Sequence, residues 1–388
     1  MLGSGEMAVH SGMAGSLYPI VTAFGMFALA LIARKLWHAG EPIWEILGNR
    51  YGPVVRRAVA LLSLVWMAGV LAAQIHGIVA VLSIVGFATY QSVLVSVIAI
   101  LVISAVDIGV AAMVFAVCLL ASNLVLFNVL AASGGLPVYF HAWPSFIQEV
   151  RTAPAIETVA TVVAIGFLVI TGSDYQQFVI AARRPADAWL GCVLAALFLT
   201  AVGFLPAATV VAALHSGKLS GLTDYAGVIP RIILHSSPHA GLGFLCAIVL
   251  AACGSGTAVT RAMSTALMDL HPMMRRHPFA SRILIIAPCS ATAIDGQSIV
   301  STIVSMNMVY ISAVGLLFVI HQADCSVTPR CASRMMICGA VTSMLTALLF
   351  WARAADMPDW SPLAAGMIAS AVPFLGSFFS SNRRRIQS

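Results

Sequence analysis

Charge is what this chain has least of. Only 9% of its 388 residues are Asp, Glu, Lys or Arg, against roughly a quarter in an ordinary soluble domain. That scarcity excludes a water-facing surface over most of the chain. There is no long polar tail, linker or low-complexity stretch to make a second domain. The first fifteen residues have neither a basic start nor a long apolar run, so no cleavable signal peptide is expected. Enzyme signatures are missing as well: no phosphate-binding Gly-Lys-Ser loop, no His-Glu-x-x-His, no credible nucleophile triad. Gly254-Ser255-Gly256 lacks the strand–turn–helix setting of a nucleophile elbow, and Asp269-Leu270-His271 has no cluster around it. A non-enzyme is expected.

What is there instead is apolar. Hydrophobic residues make up 60% of the chain and the mean hydropathy is +0.98, which describes an all-α polytopic membrane protein. At roughly 20 apolar residues per span, the chain has room for about ten to twelve helices. Apolar runs near 16–34, 55–86, 90–106, 108–131, 156–181, 187–214, 241–268, 282–296, 298–320, 333–353 and 362–380 predict eleven. Most of the eight cysteines sit inside these runs, where a thiol acts as a small apolar group. Cys325 and Cys331 share a loop without a metal or redox spacing.

Basic residues set the orientation. Under strict alternation, fifteen fall on one side: Arg34, Lys35, Arg50, Arg56 and Arg57; Arg183 and Arg184; Arg275, Arg276 and Arg282; Arg330 and Arg334; and Arg383 to Arg385. The other side receives Arg151, Lys218, Arg231 and Arg353, while Arg261 lies within a span. That bias makes the first side and the C-terminus cytoplasmic and puts the N-terminus outside. It also accounts for the net charge of +6 without a nucleic-acid partner.

Two polar interruptions stand out: Leu2-Gly3-Ser4-Gly5-Glu6 at the start and Thr171-Gly172-Ser173-Asp174 in the fifth run. Irregular backbone at membrane depth is tolerated only where it is buried in protein or lines a wet cavity. Broken helices at matching positions of two halves point to a transporter binding site. The first interruption is expected as an unwound break leading into an outward half-helix, Met7 to Ala14. The second lies five elements later, in a span that begins outside, so the second copy enters from the opposite side. That order suggests a five-plus-five inverted repeat, about 1–131 and 156–320, with accessory helices about 333–380, all in one transmembrane domain. Loops 132–155 and 215–240 are expected either as short interfacial helices or as plain connections with aromatic anchors.

Several short motifs resemble the sodium:solute symporters. Trp44-Glu45-Ile46-Leu47-Gly48-Asn49-Arg50-Tyr51-Gly52 is similar to their cytoplasmic segment before the third core helix, and Gln74-Ile75-His76-Gly77 to part of that helix. Gln177 with Ala181-Ala182-Arg183-Arg184 and Ala186-Asp187-Ala188 resembles the segment after the sixth. Ala251-Ala252-Cys253-Gly254-Ser255 resembles the eighth. The resemblance implies a LeuT-type fold and secondary solute uptake coupled to Na+. Its sodium site implies Ala252, Ser255 and Thr257 here, with Gly256 where a second hydroxyl stands in the family. The family's Gln-Arg pair is Gln177-Phe178 in this chain, and its acidic residue in the fifth helix is Val117.

Asp174 is the foremost site candidate, because a carboxylate inside a span costs roughly 2.5–3.5 kcal/mol unless paired or wet. Glu6, Gln74, Gly172 and Gln177 join it as substrate-site candidates, and Gly172 would free backbone carbonyls for a substrate or cation. His76 points about 200° away from Gln74 on a helix and is a possible proton relay or an interhelical hydrogen bond. Arg261 is expected to snorkel toward the cytoplasm, and Asp107 and Asp295 to be solvated at span ends. The chain thus reads as a cation-coupled permease for a small polar solute in a bacterial cytoplasmic membrane. The alternatives are a proton-coupled permease of the same fold, or a non-transporting solute sensor or accessory subunit. Neither the solute nor the oligomeric state is written in these residues.

Overall fold

Every regular element among the described residues is a helix. The computed structural model describes residues 1–217, 219, 225–236, 238–295, 299–352 and 357–386. Lys218, Arg353 and the side chain of Asp295 therefore lie outside the described residues.

The chain begins with α1 (Leu2–Ser11), a 3-10 turn (Gly12–Ser16), α2 (Leu17–Ala39), α3 (Ile43–Tyr51), α4 (Pro53–Ile84), α5 (Thr89–Ser104) and α6 (Ile108–Ala132). Two short helices follow, α7 (Leu136–Phe140) and α8 (Ala142–Thr152), then α9 (Ala155–Thr171) and α10 (Ser173–Ile180). Next are α11 (Pro185–Val202), α12 (Leu205–His215), α13 (Val228–Ser236) and α14 (Pro238–Leu270). The remainder is α15 (Pro278–Thr292), α16 (Ile299–Tyr310), α17 (Leu316–Gln322), α18 (Pro329–Trp351) and α19 (Ser361–Ile386).

Among the described residues, eight helical stretches are long and apolar enough to cross a membrane, and three shorter apolar helices bring the set to the eleven expected runs. Burial ranks them. The best apolar windows of Pro53–Ile84 and Ile303–Gln322 are each 61% buried, so α4 and α16–α17 form the centre. Those of Gly109–Ala132 and Pro329–Trp351 are 22% buried, and their apolar side chains face outward. The polar loops carry α7, α8 and α13, the short helices that were one of the two expectations there.

Contacts between loops gather basic segments at one end of the bundle. At one end Lys35 and Arg50 pair with Asp324 at 3.4 and 3.6 Å. Trp37 Nε1 donates to Ala182 O (2.8 Å), and Trp44 Nε1 to Asp269 Oδ2 (2.9 Å). Four of the basic segments thus meet at one end of the bundle. At the other, Ala14 N–H donates to Glu149 Oε2 (2.9 Å) and His10 stacks edge-on against Tyr225.

The expected break at Leu2–Glu6 is overturned: those residues are helical within α1. Their glycines serve close packing instead. A Cβ on Gly3 would lie 2.9 Å from Val300 Cγ2, and one on Gly5 only 2.3 Å from Ile229 Cδ1. The irregular backbone comes later, in the 3-10 turn, where Gly12 has φ +56 and Ser4 Oγ donates to Gly15 O (2.9 Å).

The second break stands where it was expected. Gly172 alone separates α9 from α10, in extended backbone at φ −68, ψ 121. Two further irregularities interrupt single apolar runs. Gly203-Phe204 divides α11 from α12, and Ile311–Gly315 form a buried π-helical turn between α16 and α17.

Candidate functional site

A cavity of about 450 Å³ opens between α1, α2, α4, α6, α10, α11, α14 and α16. That volume falls in the range of small-molecule sites. Its polar part gathers Ser4, Tyr18, Thr22, Gln74, Asp174, Tyr175, Ser255 and Thr257. Its apolar part includes Met26, Phe115, Phe178, Phe198 and Ile248.

The break at Gly172 brings Asp174 here. Extended backbone at Gly172 turns α10 out of line with α9, so the first turn of α10 starts at the cavity wall. The Asp174 carboxylate folds back over that turn, against its own backbone N–H and that of Tyr175. A helix N-terminus favours such an anion. Oδ1 is buried and has no hydrogen-bond partner among the described residues. Only glycine fits beneath it: a Cβ at position 172 would lie 2.4 Å from Leu168 O and 2.7 Å from Asp174 Oδ1.

The carbonyls expected to be freed at this break are partly taken. Ile170 O accepts from Gln176 Nε2 (2.9 Å) and Thr171 O from the Tyr310 hydroxyl (2.9 Å). Those two carbonyls therefore hold the break together rather than opening toward a ligand. Leaving them unpaired would cost several kcal/mol in the absence of water.

The other candidates divide by position. Gln74, Ala252 and Ser255 line the cavity, with Ala252 and Ser255 on one face of α14. Thr257 reaches the lining, but its buried hydroxyl donates to Ile100 O (3.4 Å) on α5. Gly256 faces the same neighbours: a Cβ there would lie 3.1 Å from Ile100 Cδ1, so the position serves helix packing. Gln177 does not line the cavity. Its Nε2 donates to Asp174 O and Ala258 O, both at 3.0 Å, tying α10 to α14. Glu6 also lies off the lining, and its Oε2 accepts from Ile299 N–H (3.2 Å). The His76 ring contacts Ala293 O at 3.2 Å, on the far side of α4 from Gln74.

Arg261 turns toward the end of α5 and does not run free to water. It lines the cavity and donates to Ser104 O (3.1 Å) and Val106 O at the C-terminal end of α5. Arg282 donates to Ser104 O as well (2.9 Å). The last carbonyls of a helix lack partners within it, and cations are favoured at that end. Asp107 caps α6 by accepting from Gly109 N–H (2.8 Å).

Tyr18, Thr22 and Tyr175 were not anticipated in the site. The Tyr18 hydroxyl lies beside Tyr175 across the α2–α10 contact. Tyr18 and Thr22 are four residues apart in the otherwise apolar first half of α2, hence on one face, which is the signal that marks them. Thr22 itself is satisfied locally, its hydroxyl donating to Tyr18 O (2.8 Å).

No family model and no curated protein sequence matches this chain. Among solved structures it is similar to a Na+-coupled sialic acid symporter in a substrate-bound outward-open state. The superposition has a TM-score of 0.69 at 12% identity and covers 96% of this chain and 88% of that one. The fold is thus that of a polytopic, LeuT-type membrane protein with a broken helix at the cavity wall.

Proposed function

We propose that this chain is a secondary active transporter, a cation-coupled permease that moves a small solute through the cavity beside Gly172 by alternating access. The observation that carries this reading is the coincidence of three features at one place. A helix is broken at Gly172, an unpartnered Asp174 oxygen sits at the break, and Asp174 borders a cavity of small-molecule size. The shared fold supports it, since the similar structure is a Na+-coupled symporter. The solute would bind between Gln74 and Asp174, with Glu6, Gly172 and Gln177 holding the surrounding helices in place.

The coupling ion in this reading is Na+, at Ser255 with backbone from Ala252. Ser255 offers a hard oxygen of the kind such cations take, and Thr257 would add its hydroxyl only by giving up Ile100. One helix bundle would rock against the rest about the cavity, the repeats spanning about 1–131 and 156–320. The protein would sit in a bacterial cytoplasmic membrane with its C-terminus inside.

The test is the melting temperature of the detergent-purified protein in sodium and in potassium chloride at matched ionic strength. A ligand at 100 times its dissociation constant that binds only the native state stabilises it by about 2.7 kcal/mol. A saturable, sodium-specific rise that Ser255→Ala removes is the expected result. Equal melting in both salts, in a well-folded protein, contradicts sodium coupling at Ser255.

A further inference from the structure

We propose that the solute is an organic cation: an ammonium-type head paired with Asp174 and an apolar body lying along Phe115, Phe178 and Phe198. This rests on the transport reading above and adds the one property that reading lacks, the charge of what is carried.

Among the described residues of the cavity lining, the two charged side chains, Asp174 and Arg261, are unequally partnered. Arg261 is already committed to Ser104 O and Val106 O at the end of α5. Asp174 meets only the backbone of its own helix turn, and its Oδ1 is buried without a hydrogen-bond partner among the described residues. A lone carboxylate within a span is unfavourable unless a cation or water meets it. A positively charged solute supplies that partner only when it is bound, which makes the pairing a source of affinity rather than of fold stability.

The surroundings choose the kind of cation. A small inorganic ion takes six or more oxygen ligands when it is Ca2+-like and demands regular oxygen geometry when it is Mg2+-like. Beside Asp174 the wall instead carries the rings of Tyr18, Tyr175 and Phe178. Aromatic faces attract ammonium groups within about 6 Å of the ring centre. Tyr175 is held close to the carboxylate: the space above Gly172 is bounded by Asp174 Oδ1 at 2.7 Å and Tyr175 Cδ2 at 3.1 Å. Beyond them the lining is phenyl and aliphatic, with Phe115, Phe198, Met26 and Leu199. Such a wall receives an apolar body and offers an anionic solute no uncommitted cationic side chain.

The experiment compares three probes of like shape on the purified full-length chain in sodium chloride: phenethylammonium, phenethyl alcohol and 3-phenylpropanoate. Affinity is read from the concentration dependence of the melting temperature. The ammonium probe is expected to bind about 10-fold or more tighter than the alcohol, and the carboxylate weakest. Asp174→Asn should bring the ammonium probe down to the alcohol while leaving the alcohol unchanged. Equal binding of ammonium and alcohol, tighter binding of the carboxylate, or a cation preference that survives Asp174→Asn overturns the proposal. If the variant does not fold, the order of the three probes on the unaltered chain still decides.

Phe198→Trp, which fills the cavity, separates this failure from failure of the transport reading. Probes weakened by Phe198→Trp but showing no cation preference overturn the charge assignment alone. Binding indifferent to Phe198→Trp, or no binding of any probe at millimolar concentration, overturns the cavity as a solute site and both readings with it.

Discussion

Gly172 and Asp174 act as a pair. The glycine removes the one atom that would lie 2.7 Å from the carboxylate oxygen and 2.4 Å from Leu168 O. Gly172→Ala is therefore expected to destabilise the protein by about 1–3 kcal/mol, the usual cost of forcing an atom into a packed site. It should also push the carboxylate off the first turn of α10. A melting curve with the phenethylammonium titration reads both effects, and unchanged values in each would show that the break has room to spare. Asp174 was legible in the sequence because a carboxylate in an apolar run has few inexpensive roles. Gly3 and Gly5 misled for the converse reason. A glycine can free backbone or admit a neighbour, and only the positions of Val300 and Ile229 show that these admit neighbours. Tyr18 stayed hidden because a membrane helix often carries tyrosine at its ends as an interface anchor, and Arg261, expected to snorkel, gave no sign of its place on the lining.

At the level of helices, apolar length carried the information. The runs near 55–86, 90–106 and 241–268 became Pro53–Ile84, Thr89–Ser104 and Pro238–Leu270, with ends displaced by a few residues. The interruptions inside runs were less legible, since they depend on partners far along the chain. The π-helical turn Ile311–Gly315 packs so closely on α18 that a Cβ at Gly339 would lie 2.2 Å from Ser312 O. A widened turn of this kind is rare and tends to occur at functional sites. Because the obstructing atom is backbone, no rotamer change relieves it. Gly339→Ala should cost about 1–3 kcal/mol or more, whereas Gly376→Ala, with no atom within 4 Å, should be near neutral. Similar melting temperatures for the two variants would mean that α18 does not constrain the turn.

Across the whole molecule, the helical membrane fold was readable from hydropathy, and the grouping of basic segments at one end appears in the Lys35, Arg50 and Asp324 cluster and the Trp44–Asp269 contact. The site was readable only in outline. Gln74, Asp174 and Ser255 meet at the cavity, while Glu6 and Gln177 fasten helices beside it. No local pattern tells a lining residue from a fastening one, because the difference is a rotation of the helix relative to its neighbours.

The central claim is that this cavity faces each side of the membrane in turn. It can be tested without knowing the solute. Leu119, which lines the cavity midway along α6, would be replaced by cysteine in a background lacking the eight native cysteines. A membrane-impermeant maleimide would then be applied to right-side-out and to inside-out vesicles. The account predicts labelling from both sides, with sodium raising one rate and lowering the other. Labelling from one side only, whatever the ion, would contradict alternating access and leave a fixed, one-sided binding protein.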